Sequence, residues 1–476
     1  MATIRFLLNA DEEQADLPPG TLLLDYLRQH KRLVGTKEGC REGDCGACVV
    51  LLGSWNNDEI NYRVVCSCLL VLGAVEGKHV VSIEGLHCKS LSPVQKAIVE
   101  EGATQCGFCT PGIVVSLTGY LMNTDSLDKE RILSAVDGNI CRCTGYMSIK
   151  RAVSRLCEEL KTLGFVERQG RYARLEWLVQ NSFLPGYFLE IPPRLKKLTA
   201  VKAEKKVRSK SAIRIAGGTD ILIQQAEKVA AAELDLLGDR EDLIDIRMEE
   251  DACIVGASTT IDDIMKSPVI KRLFPRIKDY FSLVSSTPIR SQATVAGNVI
   301  NASPIGDLII FFLALDASIT LVNGEKQRTL LLKNFFKGYK ELDVEENELV
   351  HSLSFPLPQG TFLFNFEKVS KRRNLDIASV NSAIQIRMDQ NVIERAHLSA
   401  GGVAPIPLYL TRTCQFLYGK QVEPEVIREA ADVAGEEISP ISDVRGSDEY
   451  KKRLLRQLVV AHFTVLFPEH DLASSL

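Results

Sequence analysis

The stretch that decides the fold runs from Lys37 to Val50 and reads KEGCREGDCGACVV. Its cysteines lie at positions 40, 45 and 48, and two more follow at positions 66 and 68 in VVCSCLL. This Cx4Cx2C spacing with a distant fourth cysteine is the plant-type ferredoxin pattern for a [2Fe–2S] cluster. The glycines at positions 39, 43 and 46 let the loop wrap a cluster closely and aim backbone amides at sulfur. The spacing leaves open whether Cys66 or Cys68 is the fourth ligand.

A second cysteine set lies in QCGFCTPG (105–112) and NICRCTG (139–145). Each pair follows a segment of helical periodicity and is flanked by glycine, so two loops can close over one cluster at the end of a helical bundle. The alternative for both sets is a zinc site or free thiols. Zinc ribbons favour paired CxxC knuckles over Cx4Cx2C, whereas a CxxC with a distant pair is generic. The cysteines at 88, 157, 253 and 414 match no ligand spacing, and we interpret them as buried or partly buried thiols.

Composition narrows the class of protein. The 476 residues suggest about three domains. Eleven of the 13 cysteines lie before residue 160, and clustered cysteines in a reducing compartment favour metal or redox chemistry over disulfides. The formal charge of −4 gives no strong field for nucleic acid or an anionic membrane. No apolar run reaches 18 residues and the N-terminus soon turns acidic, so we expect a cytoplasmic protein.

The pattern along the chain predicts a multidomain α+β fold. A strand at 2–8, a polar turn at 11–20, a short helix at 22–29 and two apolar runs suggest a small α+β domain. Four amphipathic segments before residue 163 suggest a helical bundle. Weak periodicity and prolines at 185, 192 and 193 suggest a linker next. The predicted domains are 1–85 (ferredoxin-like), 86–163 (helical cluster-binding), 164–194 (linker), 195–357 (α/β) and 358–476 (α+β).

Two segments of the rear half suit a dinucleotide. IAGGTDI (215–221) is a short apolar strand entering a Gly-Gly-Thr turn, whose amides and hydroxyl can meet a phosphate. STPIRSQATVAGN (286–298) and SPIGD (303–307) combine small residues, hydroxyls and one carboxylate. Neither is a GxGxxG, so a Rossmann fold is disfavoured. A simple tight turn is the alternative for the first segment.

The motifs together resemble a known family. KEGCREGDCGACVV, VCSCL, QCGFCTPGIVVS and GNICRCTGY closely resemble the two-cluster module of the molybdenum hydroxylases, a family that includes xanthine dehydrogenase, aldehyde oxidases and carbon monoxide dehydrogenase. The rear segments are similar to its FAD domain, whose patterns are GGxT(D/E), IRNxATxGGN and SPxxDL. This chain departs at Ser291 and Ala296.

The resemblance implies a ferredoxin-like β-grasp domain, a four-helix cluster-binding bundle, an α/β FAD-binding domain and an α+β C-terminal domain. It assigns one [2Fe–2S] cluster to Cys40, Cys45, Cys48 and Cys68, and the other to Cys106, Cys109, Cys141 and Cys143. It places Gln105 against the pterin of a molybdenum cofactor and Asp376 in a loop near the NAD site. The implied FAD contacts are Ile215, Ala216, Gly217, Gly218, Thr219, Asp220, Ile221, Thr294, Gly297, Asn298, Asp307, Val350 and Lys368.

The resemblance further implies the small, electron-transfer subunit of a bacterial xanthine dehydrogenase, an oxidoreductase of xanthine or hypoxanthine with NAD. A separate large subunit would carry molybdopterin, in an assembly of two small and two large chains, so no hydroxylation residue is expected here. Electrons would pass from the second cysteine set to the first, then to FAD and NAD. The alternatives are another substrate of the family, such as an aldehyde or N-heterocycle, a free-standing reductase, or a zinc-binding interaction module. The basic stretch KVSKRR (368–373) has no interleaved aromatics, and with the net charge of −4 this disfavours nucleic acid.

Overall fold

The structure of the protein is a computed structural model that describes residues 3–124, 126–165, 170–200, 211–358, 360 and 362–470. It is a multidomain α+β chain, as predicted, and it divides into two compact units. Unit 1 consists of Met1–Gly238 and Ser286–Gln292, and unit 2 consists of Asp239–Ser285 and Ala293–Leu476.

The main sheet of unit 1 has five strands in the order β2-β1-β5-β3-β4. The strands are β1 (Ile4–Leu8), β2 (Asp11–Ala15), β3 (Val49–Asn56), β4 (Glu59–Cys66) and β5 (His79–Val81). Strands β1 and β5 pair in parallel, and the other pairs are antiparallel. The prediction of a polar turn over residues 11–20 is wrong for residues 11–15, which form β2. Their sequence, DEEQA, lacks the alternation of apolar and polar residues that indicates a strand. It extends the sheet as an edge strand, where charged side chains face solvent.

Helices cover the rest of unit 1. The four predicted helices of the cluster-binding bundle are Pro93–Glu100, Thr110–Asn123, Lys129–Ser134 and Met147–Thr162. The first begins at a capping box, in which Ser92 and Gln95 satisfy each other's backbone amides. The remaining α-helices of unit 1 are Leu23–Asp25 (continued by the π-helix Tyr26–His30), Arg171–Gln180, Ile191–Ala200, Ile221–Gln224, Ala226–Ala231 and Thr287–Arg290. Strands β6 (Ile213–Ile215) and β7 (Leu234–Leu236) form a parallel pair.

The stretch predicted as a linker contains packed helices. Helices Arg171–Gln180 and Ile191–Ala200 lie there, and Phe188 between them is fully buried. The prolines mislead because Pro192 and Pro193 lie in the first turn of a helix, where a missing amide hydrogen costs no hydrogen bond. The side chains of this stretch join the largest core of unit 1, together with Leu51 and Ile113.

Unit 2 contains two larger sheets and a hairpin. Its strands are β8 (Ile246–Glu249), β9 (Ala252–Gly256), β10 (Ser318–Asn323), β11 (Lys326–Leu331), β12 (Phe336–Gly338), β13 (Glu341–Leu342), β14 (Leu349–Pro356), β15 (Phe362–Val369), β16 (Val380–Asp389), β17 (Val392–Gly401) and β18 (Leu408–Tyr409). The sheet orders are β11-β10-β14-β9-β8 and β15-β16-β17-β18, and β12 pairs with β13. All of these pairs are antiparallel.

The helices of unit 2 pack on these sheets or on one another. They are Ile261–Lys266, Pro268–Leu273, Ile277–Ser282, Val295–Asn301, Asp307–Leu313, Thr411–Leu417, Pro424–Glu436 and Asp448–Leu466. The last of them packs on β15 and β16. Phe274 contacts Phe311 and Phe364 edge to face in an aromatic core. The quadrupoles of the rings favour this edge-to-face geometry. In the described ranges of the chain, no helix has the length and apolarity needed to cross a membrane.

Candidate cofactor sites

The first cysteine set forms around the loop that precedes β3 and the turn that follows β4. Cys48 and Cys68 are each 2% exposed, and their sulfurs lie 3.3 Å apart. Cys40 and Cys45 are partly exposed, and their thiols share a hydrogen bond. Cys68 lies in the 3-10 turn Ser67–Leu69, directly after the strand β4. The structure therefore brings these four predicted ligands together as two pairs.

Hydrogen bonds favour the thiolate form of Cys40 and Cys48, and the same bonds raise the pKa of their partners Cys45 and Cys68 above the usual range. The Cys45 thiol and the backbone amides of residues 42, 44 and 45 lower the pKa of Cys40 to about 6. The amide of Glu42 is one of these donors, 3.3 Å from the Cys40 sulfur. Hydrogen bonds from the thiols of Cys66 and Cys68 lower the pKa of Cys48 well below its usual range. Thiolate is the form in which cysteine ligates metal.

A fifth thiol lies beside this set. Cys66 is fully buried and shares a hydrogen bond with Cys48, and its sulfur is 4.0 Å from the Gly43 carbonyl oxygen. The structure thus brings both Cys66 and Cys68 to Cys48. Cys157, Cys253 and Cys414 are buried and Cys88 is partly buried, in agreement with the interpretation of these four as structural thiols.

The second set also forms two pairs, in loops between helices of the bundle. The sulfurs of Cys106 and Cys143 lie 3.5 Å apart, and both residues are exposed. Cys109 and Cys141 share a hydrogen bond, and burial raises the pKa of Cys109 to about 12. The Cys141 backbone amide donates to the Tyr146 hydroxyl oxygen at 2.9 Å, which ties the turn together.

Paired sulfurs fit a two-iron core, in which each iron takes two thiolates. Two thiolates on one tetrahedral metal are expected about 3.7 Å apart when each metal–sulfur bond is about 2.3 Å long. The separations of 3.3 Å and 3.5 Å are close to that value. Both sets therefore fit [2Fe–2S] clusters by their paired thiol donors.

The two sets are joined through the backbone. The Ile140 amide donates to the Cys45 carbonyl at 3.0 Å, and the Asn139 side chain donates to the Gly46 carbonyl at 2.9 Å. Gly46 has φ +64°, and a Cβ there would lie 2.2 Å from the Gly138 carbonyl oxygen. Only glycine permits this conformation and this approach. The loop of the first set therefore lies directly against the residues that precede Cys141.

The Gly-Gly-Thr turn follows β6, as predicted, and lies in unit 1. Residues 216–221 are partly exposed. Gly218 has φ +77°, and a Cβ there would lie 3.1 Å from the Leu69 carbonyl oxygen. The turn thus lies against the residue that follows Cys68, and a small residue is needed at that point.

The other predicted FAD residues lie in unit 2. Thr294 caps the helix Val295–Asn301 by accepting from the Gly297 amide at 3.2 Å. The Asn298 Oδ1 atom is buried and has no hydrogen-bond partner in the described part of the chain. An unpaired buried acceptor is costly unless a ligand donates to it. This chemistry fits a bound nucleotide cofactor.

Asp307 and Lys368 form a buried ion pair in unit 2. The Lys368 Nζ atom lies 2.7 Å from the Asp307 carboxylate and also donates to the Leu283 carbonyl at 2.8 Å. The Lys368 side chain is 2% exposed. Val350 is a buried residue of β14, and the Asp376 carboxylate accepts from the Arg372 amide at 2.8 Å.

Sequence reasoning missed the residues that hold these groups in place. The Asn381 side chain donates to the second oxygen of Asp307 at 2.6 Å, and Asn139 joins the two cysteine loops. Gln292 contacts the turn that carries Cys68, although about 220 residues separate them in the chain. Gln292 lies inside a segment that the sequence singles out, but no local pattern indicates its partner.

Sequence models of four domain families match the chain. They are a 2Fe-2S iron-sulfur cluster binding domain over residues 6–72, a [2Fe-2S] binding domain over 82–154, the FAD binding domain in molybdopterin dehydrogenase over 187–358, and the CO dehydrogenase flavoprotein C-terminal domain over 366–465. These matches confirm the prediction of two [2Fe–2S] clusters and FAD.

Curated relatives include the xanthine dehydrogenase of Emericella nidulans, which is 29% identical over 88% of this chain and 35% of its own length. Xanthine dehydrogenase 1 of Arabidopsis thaliana is 28% identical over 91% of this chain and 37% of its own length. Aldehyde oxidase 1 of Bos taurus is 26% identical over 93% of this chain and 38% of its own length. The chain thus spans well under half the length of these relatives.

Solved structures agree with these relatives. A chain of carbon monoxide dehydrogenase from Hydrogenophaga pseudoflava has a TM-score of 0.50 and 25% identity, and the match covers 53% of this chain and 88% of that one. A chain of quinoline 2-oxidoreductase from Pseudomonas putida 86, at 22% identity and a TM-score of 0.51, shows the same fold over 55% of this chain and 91% of its own. The four domains of the chain match the iron–sulfur and FAD subunit of the molybdenum hydroxylases.

Proposed function

We propose that this chain is the electron-transfer subunit of a cytoplasmic xanthine dehydrogenase. It would take electrons from a molybdopterin-bearing large subunit and deliver them to NAD, in an assembly of two small and two large chains. When bound, the clusters supply one-electron transfer and FAD supplies hydride transfer. The chain's own residues hold these groups in series and exclude water from the inner ones.

One observation carries the proposed order of transfer, a continuous series of contacts within unit 1. It starts at the second cysteine set, where Ile140 donates to the Cys45 carbonyl of the first set at 3.0 Å. It continues through Cys68 to Leu69, whose carbonyl oxygen approaches Gly218 of the Gly-Gly-Thr turn. Direct contacts of this kind support transfer from the second set to the first and then to the flavin.

The difference in exposure supports a partner at one end of this series. Cys106 and Cys143 are exposed, whereas Cys48 and Cys68 are buried. Gln105 is exposed beside Cys106, Phe108 of the same loop is 45% exposed, and Met147, which begins the helix after Cys143, is 59% exposed. Exposed large apolar side chains around a redox site favour a protein–protein contact. We infer that this face meets the molybdopterin subunit and that Gln105 meets the pterin.

The remaining assignments follow the resemblance and the geometry. We propose Cys40, Cys45, Cys48 and Cys68 as ligands of the first cluster and Cys106, Cys109, Cys141 and Cys143 as ligands of the second. We propose residues 215–221, Thr294, Gly297, Asn298, Asp307, Val350 and Lys368 as the FAD contacts, and 1–85, 86–163, 195–357 and 358–476 as the functional domains. Xanthine and NAD are proposed because most of the curated relatives above are named xanthine dehydrogenases.

The first experiment is cofactor analysis of the protein purified from its native cells, so that any partner is purified with it. We expect about four irons and one FAD per chain, with molybdenum present only in fractions that contain a second subunit. Zinc in place of iron would refute both cluster assignments. Iron and flavin without a molybdenum-bearing subunit would refute the partner and favour a free-standing reductase.

A substitution tests the direction of transfer. Cys106→Ser should leave FAD content and NADH-driven dye reduction unchanged, because these need only the flavin end of the series. It should abolish the reduction of flavin by xanthine in the complete enzyme. Cys88→Ser is the matched control, since this partly buried cysteine belongs to neither set. Equal loss of both activities in Cys106→Ser would contradict the proposed order.

A further inference from the structure

Besides residues 195–238, a separate segment of seven residues of the predicted flavin domain lies in unit 1. Ser286–Gln292 belongs to unit 1, although the chain on both sides of it belongs to unit 2. The match to the FAD-binding family includes these residues. The segment Ser286–Gln292 therefore packs with the unit that carries both cysteine sets, where its side chains can influence a cluster.

The side chain of Gln292 brackets Cys68. Its Oε1 atom accepts from the Cys66 amide at 2.7 Å, and its Nε2 atom donates to the Leu69 carbonyl at 3.2 Å. The residue is 7% exposed, so these bonds replace contact with water. One planar amide therefore fixes both ends of the four-residue turn from Cys66 to Leu69, and Cys68 lies between these two residues in the chain.

Neighbours in the segment support this contact. The Ser291 hydroxyl donates to the Val64 carbonyl at 2.5 Å, on the strand that leads into the turn. A Cβ at Gly43 would lie 2.5 Å from the Ile289 side chain, so Ile289 lies against the loop of the first set. The segment therefore contacts both parts of the chain that supply the first set.

We propose that Gln292 is a positioning residue of the first cluster. By clamping the turn from Cys66 to Leu69, it keeps the Cys68 sulfur beside that of Cys48 and slows the movement that releases a ligand. It acts through Cys68 and does not itself touch the cluster. This inference rests on the proposed assignment of Cys68 as a ligand.

The test uses Gln292→Met, which keeps the length of the side chain and removes both hydrogen bonds. In the holoprotein, iron release to a ferrous chelator and the electron paramagnetic resonance spectrum of the reduced clusters are measured. We expect about tenfold faster release from one of the two clusters, corresponding to the loss of these buried hydrogen bonds. The g values of the same cluster should shift, while the other cluster and the FAD content stay unchanged.

Ser291→Ala is the matched control, because it removes a buried hydrogen bond of the same segment without touching the turn that carries Cys68. A merely structural role would give both variants the same loss of thermal stability and the same iron release, and this outcome would overturn the proposal. Unchanged release and unchanged g values in Gln292→Met would also overturn it. If Gln292→Met does not fold, Gln292→Glu keeps the acceptor for Cys66, loses the donor to Leu69 and is subject to the same criteria.

A separate arm tests the ligand assignment on which the inference rests. Cys68→Ser should alter the first cluster's spectrum and iron content, whereas Cys66→Ser should leave its ligand set intact. The opposite result would refute the assignment of Cys68 in the proposed function. If Cys68→Ser alters the first cluster as expected but Gln292→Met has no effect, the ligand assignment stands and only the positioning role of Gln292 is refuted.

Discussion

Asp137→Asn should destabilise unit 1 strongly. The Asp137 and Arg290 side chains are 4% and 7% exposed, and Asp137 Oδ2 lies 2.6 Å from Arg290 Nη2. The other carboxylate oxygen accepts from the Thr287 amide at 2.8 Å. The substitution keeps the size of the side chain and removes its charge, so Arg290 loses the carboxylate partner of a buried ion pair. Breaking such a pair by removing one partner costs about 3–5 kcal/mol.

This cost is large enough for a thermal assay. For a unit of this size, a loss of 1 kcal/mol lowers the unfolding midpoint by about 2–4 °C. We therefore expect the midpoint to fall by about 6–20 °C. Both tryptophans of the chain, Trp55 and Trp177, lie in unit 1, so tryptophan fluorescence follows the unfolding of that unit alone.

The control is an exposed ion pair of the same unit. Asp58 and Lys196 lie 2.9 Å apart, and their side chains are 81% and 62% exposed. Exposed pairs contribute at most about 1 kcal/mol, so Asp58→Asn should shift the midpoint by no more than a few degrees. Equal midpoints for Asp137→Asn and Asp58→Asn would refute the reasoning, because burial would then make no difference to the pair.

Two further predictions concern the cluster loop and acid stability. Gly46→Ala should lower the free energy of unfolding of unit 1 by more than about 2 kcal/mol in urea titration, because a Cβ at φ +64° is strained and meets the Gly138 carbonyl oxygen. Gly170→Ala, where a Cβ meets open space, is the control that should stay near neutral. Burial lowers the pKa of His462 to about 3, well below its value of about 6.5 in the unfolded state. Between these two pH values the unfolded state binds the proton more tightly, so the free energy of unfolding of unit 2 falls by about 1.4 kcal/mol for each pH unit. Hydrogen exchange of the helix Asp448–Leu466 should therefore show a loss of about 2 kcal/mol between pH 7 and pH 5, and His462→Phe should abolish that loss. A pH slope that His462→Phe leaves unchanged would contradict this assignment.

Local patterns predicted most elements of the fold. The four helices of the cluster-binding bundle and β6 before the Gly-Gly-Thr turn lie where the sequence patterns predict them. These elements have clear periodicity or flanking turn residues, which are local signals. The strand β2 and the helices of 164–194 escaped prediction because an edge pairing and first-turn prolines leave no such signal.

The sequence by itself determined the chemistry of the clusters, because ligand spacing within a loop is a local property of the chain. Only the tertiary structure decided which thiols pair, that Cys66 lies beside Cys48, and that the two cysteine loops share backbone hydrogen bonds. It also decided that Gln292 brackets Cys68 and that Arg290 pairs with Asp137. Such contacts join residues far apart in the chain, and packing selects them through shape and hydrogen-bond geometry that no short segment encodes.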